Sequence, residues 1–146
     1  MNALPEAISE FLKQKDIVSF ATHNGQDFWA ANCFYAFDQQ NARLIIMSKR
    51  STRHGQIMLE NPHIVGTISC QSHKIKEMEG IQFSAQANLL EQAEARKAAF
   101  KIYTQKQPLA KLLNSDIWEI CLNEIKFVSN KSIFSNKIHW LRDKES

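Results

Sequence analysis

The sequence predicts a mainly β protein, an antiparallel barrel of about six strands with small helices between them. Several short β-rich segments follow one another too closely for a parallel return, which needs a crossover of a dozen residues or more. The segment 81–89 alternates apolar and polar residues with a period of two, so one of its faces is expected to be core. Closing such a sheet hides its edges, which favours a barrel, and a β-sandwich is the alternative.

The chain begins with an amphipathic helix. Its apolar residues recur at the spacing of one helical face: Leu4, Ala7, Ile8, Phe11 and Leu12. We expect this face to pack against the rest of the domain.

Three strands are predicted next, at residues 17–22, 28–37 and 44–47. Each is rich in β-branched or aromatic residues. The Asn24-Gly25 pair between the first two is a strong signal for a tight hairpin. These three strands are therefore expected to pair with antiparallel neighbours.

A short helix is predicted from Ser51 or Thr52 to the Asn61-Pro62 pair. Both candidates for its first residue are good N-caps, and a residue before proline disfavours helix. The loop and the first turn concentrate four formal or potential cations: Lys49, Arg50, Arg53 and His54. The helix dipole disfavours cations at this end, whereas the unpaired N–H groups there suit an anion such as phosphate. The cluster therefore predicts an anion site, and a solvated basic turn is the alternative.

Three more strands are predicted, at residues 64–70, 81–89 and 118–127, the last with a bend at Asn123. Helical spacing predicts one further helix over residues 91–105. The strands and helices therefore continue to alternate through the second half of the chain.

The remaining segments add a short helix beginning at Pro108 and a polar tail from residue 129. The chain has 146 residues, enough to bury a real core, and shows no internal repeat or linker. We therefore expect a single barrel domain over residues 1–146.

Composition limits the partners. The net charge of +3 allows an anionic ligand but lacks the basic bias of a general nucleic-acid binder. No apolar run is long enough to span a bilayer, and the N-terminus lacks the pattern of a signal peptide. The three cysteines, Cys33, Cys70 and Cys121, are far apart and suggest no disulfide framework. We expect a reduced, cytoplasmic protein that contacts neither nucleic acid nor membrane.

The usual catalytic motifs are missing from the sequence. The histidines and cysteines form no C-x-x-C or H-x-x-x-H pair, so no metal site is predicted. There is no G-x-S-x-G elbow and no glycine-rich phosphate loop. The catalytic residues are therefore unknown. Asn32 and Phe34, on one face of the second strand, are candidates to contact a flat aromatic ligand whose phosphate binds at the helix start; a core position for Phe34 is the alternative.

The pattern S-T-R-H-x-Q-x-M-x-x-N-P at residues 51–62, with the order of elements, resembles the flavin-binding split-barrel superfamily of pyridoxamine 5′-phosphate oxidase. In that superfamily a Ser-Arg-Lys-like triplet opens a helix that closes in L-x-x-N-P. The whole chain is more closely similar to the small uncharacterised bacterial YhbP group (UPF0306) of that superfamily. Five further segments match that group: W-A-A-N-C-F-Y at 29–35, G-I-Q-F at 80–83, W-E-I at 118–120, E-I-K-F at 124–127 and W-L-R-D at 140–143.

The resemblance implies a six-stranded Greek-key barrel and a homodimer that binds flavin mononucleotide (FMN) across its interface. By position, the phosphate would be held by Thr52, Arg53 and His54, with Ser48 and Lys49 nearby. Asn32 and Phe34 would approach the ring system. His54 replaces the lysine of the superfamily, so part of the charge there becomes dependent on pH.

Other positions depart from the oxidase. Its E-F-W-Q-G and R-L-H-x-R motifs are replaced by K-F-V-S-N at 126–130 and I-H-W-L-R at 138–142, and its Arg-Gln pair by Glu79-Gly80. Oxidation of pyridoxamine phosphate is therefore not expected. The leading hypothesis is a flavin-dependent oxidoreductase of an unknown small substrate. The alternatives are a non-enzymatic binder of flavin or haem, and a scaffold dimer with a vestigial cleft.

Overall fold

The computed structural model describes residues 1–131 and 136–143. Within these residues the chain forms three α-helices, eight strands and two short 3-10 helices. The α-helices are α1 (Glu6–Gln14), α2 (Arg53–Glu60) and α3 (Ala93–Lys106), and the 3-10 helices cover Ile75–Glu77 and Pro108–Leu112. The strands are β1 (Ile17–His23), β2 (Phe28–Phe34), β3 (Ala36–Asp38), β4 (Arg43–Met47), β5 (His63–Ser69), β6 (Glu79–Leu89), β7 (Ile117–Ser129) and β8 (Asn136–Leu141).

The strands make one antiparallel sheet in the order β2-β1-β5-β6-β7-β4-β3, and β8 pairs with β7. The sheet curls into a half-barrel, which confirms the mainly β class and the antiparallel barrel. In the described part of the chain β2 pairs only with β1, so its other edge is unpaired. The long strand β7 pairs with β4 through its first half and with β8 through its second half, and its bulge lies at Asn123.

The predicted number of six strands was too small. The segment predicted as one strand over residues 28–37 is interrupted at Tyr35, where the backbone N–H bonds to the carbonyl of Asp16. Before this residue the chain pairs with β1, and after it the chain pairs with β4. The tail, which was not assigned to a strand, pairs with β7 as β8. Pairing with distant strands decided both cases.

The hairpin between β1 and β2 forms as predicted. Gly25 has a φ of +94°, which glycine adopts without steric cost. The side-chain oxygen of Asn24 accepts hydrogen bonds from the backbone N–H groups of Gln26 and Asp27. The turn therefore holds Asp27 at a fixed place beside α2.

The main core lies between α1, α2 and the inner face of the sheet. Its largest fully buried side chains include Trp118, Tyr35 and Ile8. Tyr35 donates a buried hydrogen bond from its hydroxyl to the carbonyl of Leu12 at 2.7 Å. A second, smaller core forms where α3 covers β3, β4 and the start of β7. The α2 helix follows β4 after a loop of five residues and packs against β1, β2 and β6.

Candidate functional site

The start of α2 is tightly built around Thr52 and Gly55. Thr52 caps the helix, because its hydroxyl accepts a hydrogen bond from the Gly55 N–H at 3.0 Å and donates one to the Lys49 carbonyl at 2.9 Å. A Cβ atom at Gly55 would lie 2.8 Å from the Lys49 carbonyl oxygen and 2.9 Å from that of Arg50. The loop can therefore wrap this closely only over a glycine.

Two amides at the helix start remain available. In the described part of the chain, the backbone N–H groups of Arg53 and His54 donate no hydrogen bond. These groups are among the four that no α-helix can pair internally. They give the helix start the partial positive charge that suits an anion.

Arg53 is held by two groups of the β1–β2 hairpin. Its Nη2 and Nε donate to the two carboxylate oxygens of Asp27 at 2.6 and 3.1 Å. Its guanidinium lies over the ring of Trp29, 3.8 Å from the ring centroid. The hydrogen bonds that Arg53 donates to Asp27 lower the pKa of Asp27 and raise the pKa of Arg53. Both groups are therefore charged at neutral pH.

Arg50 is also paired, but on the other side of the loop. Its guanidinium donates to Asp116 at 3.0 Å and to Glu91 at 2.7 Å, and its backbone N–H donates to Asp116 at 2.8 Å. The hydrogen bond from Arg50 lowers the pKa of Asp116. Carboxylates that are distant in the sequence therefore already pair with both arginines, so the helix start carries less net positive charge than its basic residues alone suggest.

His54 pairs with Ser48. The Ser48 Oγ and the His54 Nε2 lie 2.7 Å apart, and the imidazole packs edge-on against Phe20. Burial lowers the pKa of His54 below its usual value of 6.5, so at pH 7 the ring is neutral and adds no standing charge. Trp118 fixes Ser48 by donating its Nε1–H to the Ser48 carbonyl at 2.9 Å.

Lys49 faces a separate polar groove. Its cavity volume is about 510 Å³, and Arg50 and Arg96 also line it. The structure therefore divides the predicted phosphate residues into neighbouring groups. Ser48 and His54 lie together, Thr52 caps the helix, Arg53 lies on the hairpin, and Lys49 faces α3.

Asn32 and Phe34 lie on the opposite face of β2 from Trp29, because successive side chains of a strand alternate. Both are exposed, Phe34 by 53%, so the alternative of a core position for Phe34 was wrong. Within one chain, Arg53 contacts the side of β2 that carries Trp29, so Asn32 and Phe34 lie on the side away from it. The period of two could have indicated that Trp29, rather than Phe34, faces the helix.

The outer face of β2, β1 and β5 is exposed and carries both hydrophobic and polar side chains. It exposes four large hydrophobic side chains, which are Ile17, Phe28, Phe34 and Val65. Ile17 pairs with Phe34, and Ala21 pairs with both Ala30 and Val65. The alanines leave a shallow area between the larger side chains. A groove of about 820 Å³ crosses this face, and Lys126, Lys137 and His139 stand on its rim.

Other kinds of site receive little support. Within residues 1–131 and 136–143, no group of three His, Cys, Asp or Glu side chains is arranged to hold a metal ion. All three cysteines are free thiols. Among the described helices, none has both the length and the apolar composition that a membrane crossing requires.

Sequence comparison finds close relatives along nearly the whole chain. A UPF0306 protein of Haemophilus ducreyi is 44% identical over 146 residues, which cover 99% of this chain and 100% of the relative. A UPF0306 protein of Yersinia pestis is 37% identical over 135 residues, which cover 92% of this chain and 91% of the relative. No family model matches the sequence.

Solved structures with the same fold are split-barrel proteins. A haem-binding protein from Mycobacterium smegmatis superposes with a TM-score of 0.72 at 16% identity, covering 94% of this chain and 59% of that protein. An FAD-binding protein from Mesorhizobium loti gives 0.69 at 11% identity, covering 84% and 92%. A candidate pyridoxamine 5′-phosphate oxidase from Listeria innocua gives 0.67 at 14% identity, covering 84% and 95%. These similarities establish the split-barrel fold.

Proposed function

We propose, since the chain belongs to the UPF0306 family and has the split-barrel fold, that it binds FMN at the start of α2. We further propose that it acts as a flavin-dependent oxidoreductase on a small substrate. The observation that carries this proposal is the cluster of Arg53, its free amide and the free amide of His54 beside Trp29 of the edge strand β2. The proposal covers a single domain over residues 1–146.

The groups at the helix start fit a phosphate monoester. Arg53 offers its guanidinium, whose Nε and Nη2 bond to Asp27, and the amides of Arg53 and His54 offer two further donors. The hydroxyl of Ser48 lies beside His54 and can reorient towards a ligand oxygen. Thr52 would act mainly by capping the helix, since its hydroxyl hydrogen is already donated to Lys49. Lys49 would add charge from the neighbouring groove.

The flavin ring would lie along the outer edge of β2. Within residues 1–131 and 136–143, this edge has no strand partner for its backbone N–H and C=O groups, and a flavin ring carries matching donors and acceptors on its rim. When bound, the flavin would supply the electron-transfer chemistry, and the protein would orient the ring and shield it from water. Trp29 would limit the site on the side of the helix.

We also propose a homodimer formed through the outer face of β2, β1 and β5. Four large hydrophobic side chains are exposed there, and exposed apolar surface is typical of interfaces. Asn32 and Phe34 lie on this face, so a contact between them and the flavin would come from the opposite subunit. Three free cysteines are consistent with our further expectation of a reduced cytoplasmic location.

Titration of the protein with FMN and with riboflavin, which lacks the phosphate, tests the proposal. We expect FMN to bind with quenched fluorescence and a shifted absorption spectrum, and more tightly than riboflavin. Arg53→Gln should weaken FMN binding on the order of ten- to a hundredfold, because a charge-assisted bond to phosphate is lost. The matched control is Arg50→Gln, because the Arg50 side chain pairs with Asp116 and Glu91 on the other side of the loop. The absence of any spectral change at micromolar FMN would refute flavin binding, and unchanged affinity in Arg53→Gln would remove Arg53 from the site.

A second candidate is haem in the groove on the outer sheet face. Its volume of about 820 Å³ suits a large flat cofactor, and His139, which lines it, would bind the iron in place of its bond from Nε2 to Glu124. A Soret band that appears on haem addition and shifts in His139→Ala, without FMN uptake, would favour this function. Protein that takes up neither cofactor would match a scaffold dimer with a vestigial cleft.

A further inference from the structure

The Asp27 carboxylate occupies the side of Arg53 that is best shaped for an anion. Both carboxylate oxygens bond to the guanidinium, at 2.6 and 3.1 Å through Nη2 and Nε. The Trp29 ring covers one guanidinium face at 3.8 Å from its centroid. A phosphate that approaches Arg53 therefore meets a cation whose charge and fork are already engaged.

The fold holds this carboxylate in position. The backbone N–H of Asp27 donates to the Asn24 side chain at 2.8 Å, and the Asp27 carbonyl accepts from the Asn24 N–H at 3.2 Å. The same asparagine donates to Glu60 at 2.8 Å, which ties the hairpin to the C-terminal end of α2. The Asn61 amide donates to the His23 carbonyl at 2.9 Å and adds a second tie. Hairpin and helix thus form one unit, which keeps the backbone of Asp27 beside Arg53.

We propose that Asp27 is an internal counter-ion that competes with the phosphate of a bound ligand for Arg53 and so sets the affinity for phosphate monoesters. This inference rests on the proposed function, because it assumes a phosphate site at the start of α2. Asp27 acts in one of two ways with the same result. A phosphate either displaces the carboxylate, at the cost of the ion pair, or binds beside it, at the cost of repulsion between like charges.

The acids around Arg50 differ from Asp27. Asp116 bonds to both the side chain and the backbone N–H of Arg50, so it holds the loop itself in place. Glu91 bonds to the opposite side of the same guanidinium. Neither contacts Arg53. Removing the charge of Glu91 therefore changes the overall charge near the helix start but leaves the ion pair between Asp27 and Arg53 intact.

The test compares Asp27→Asn with the matched control Glu91→Gln. Both variants lose one exposed carboxylate and keep the shape of the side chain. FMN, riboflavin and inorganic phosphate are titrated into each variant and the unaltered protein at low and high salt, and thermal melts check that each variant is folded. We expect Asp27→Asn to bind FMN roughly three- to tenfold more tightly, with unchanged riboflavin affinity and a smaller gain at high salt. Glu91→Gln should change FMN affinity less than twofold.

The outcomes separate this inference from the function beneath it. If the unaltered protein binds FMN and Asp27→Asn binds it equally or more weakly, the competition is refuted while flavin binding stands. An equal gain in Glu91→Gln would also refute it, since the effect would then be one of general charge. Binding of FMN by Asp27→Asn alone would support strong competition. If no form binds FMN or phosphate, both the proposed function and this inference fail.

Discussion

Gly55→Ala tests the tight wrapping of the loop at the start of α2. Alanine normally stabilises a helix position relative to glycine by about 1 kcal/mol. Here the new Cβ would lie 2.8 Å from the Lys49 carbonyl oxygen and 2.9 Å from both the Arg50 carbonyl oxygen and the Thr52 hydroxyl. Two of these atoms belong to the backbone and cannot rotate away, so the loop must move.

The size of the effect follows from three contributions. Overpacking of this kind costs roughly 1–3 kcal/mol, and weakening of the Thr52 cap costs about 1 kcal/mol more. The gain in helix propensity offsets about 1 kcal/mol. We therefore expect Gly55→Ala to lower the free energy of unfolding by about 2 kcal/mol, which corresponds to a fall in Tm of roughly 4–8 °C for a chain of this size.

Urea denaturation and thermal melts measure this change. The control is Gly80→Ala, where the added Cβ would lie 3.5 Å from the Ile68 carbonyl oxygen, an ordinary contact. That variant should stay within about 0.5 kcal/mol of the unaltered protein. A Gly55→Ala protein that is as stable as the original, or more stable, would show that the loop yields easily and that close approach does not select glycine there.

Two further predictions concern the core and the histidine at the helix start. Tyr35→Phe should lower the free energy of unfolding by about 1–2 kcal/mol in urea denaturation, because the buried Leu12 carbonyl loses its donor. The control is Tyr103→Phe, which should change the free energy of unfolding less, because the Tyr103 hydroxyl has no hydrogen-bond partner in the described part of the chain. Burial lowers the pKa of His54 in the folded protein below the usual value of 6.5. The neutral ring therefore contributes to stability above pH 6.5, and this contribution is lost as the pH falls through the pKa of the folded state. The unaltered protein should therefore lose more stability than His54→Gln between pH 7 and pH 5, and equal losses in the two proteins would contradict this assignment.

The sequence predicted the features that depend on neighbours along the chain. The Asn24-Gly25 turn, the cap at Thr52 and the alternation within β6 all follow from local backbone preferences and side-chain periodicity. The number of strands was less accessible. The break at Tyr35 depends on which strands the chain pairs with before and after that residue.

For the candidate site, the sequence predicted which residues lie near the start of α2 better than it predicted their charge partners. Ser48, Thr52, Arg53 and His54 do gather at the start of α2. Sequence periodicity predicted that Asn32 and Phe34 share one face of β2. It did not predict that Arg53 lies on the other side of that strand.

What the sequence by itself determined is the mainly β class and a helix start that concentrates basic side chains. Only the tertiary structure decided the charge of that helix start. Arg53 meets Asp27 across 26 positions of sequence, and Arg50 meets Asp116 across 66. Such pairs form because the curled sheet and its hairpin bring these residues together, and the burial of His54 against Phe20 depends on the same packing. Charge neutralisation and pKa depend on distances in space, which the order of residues along the chain does not specify.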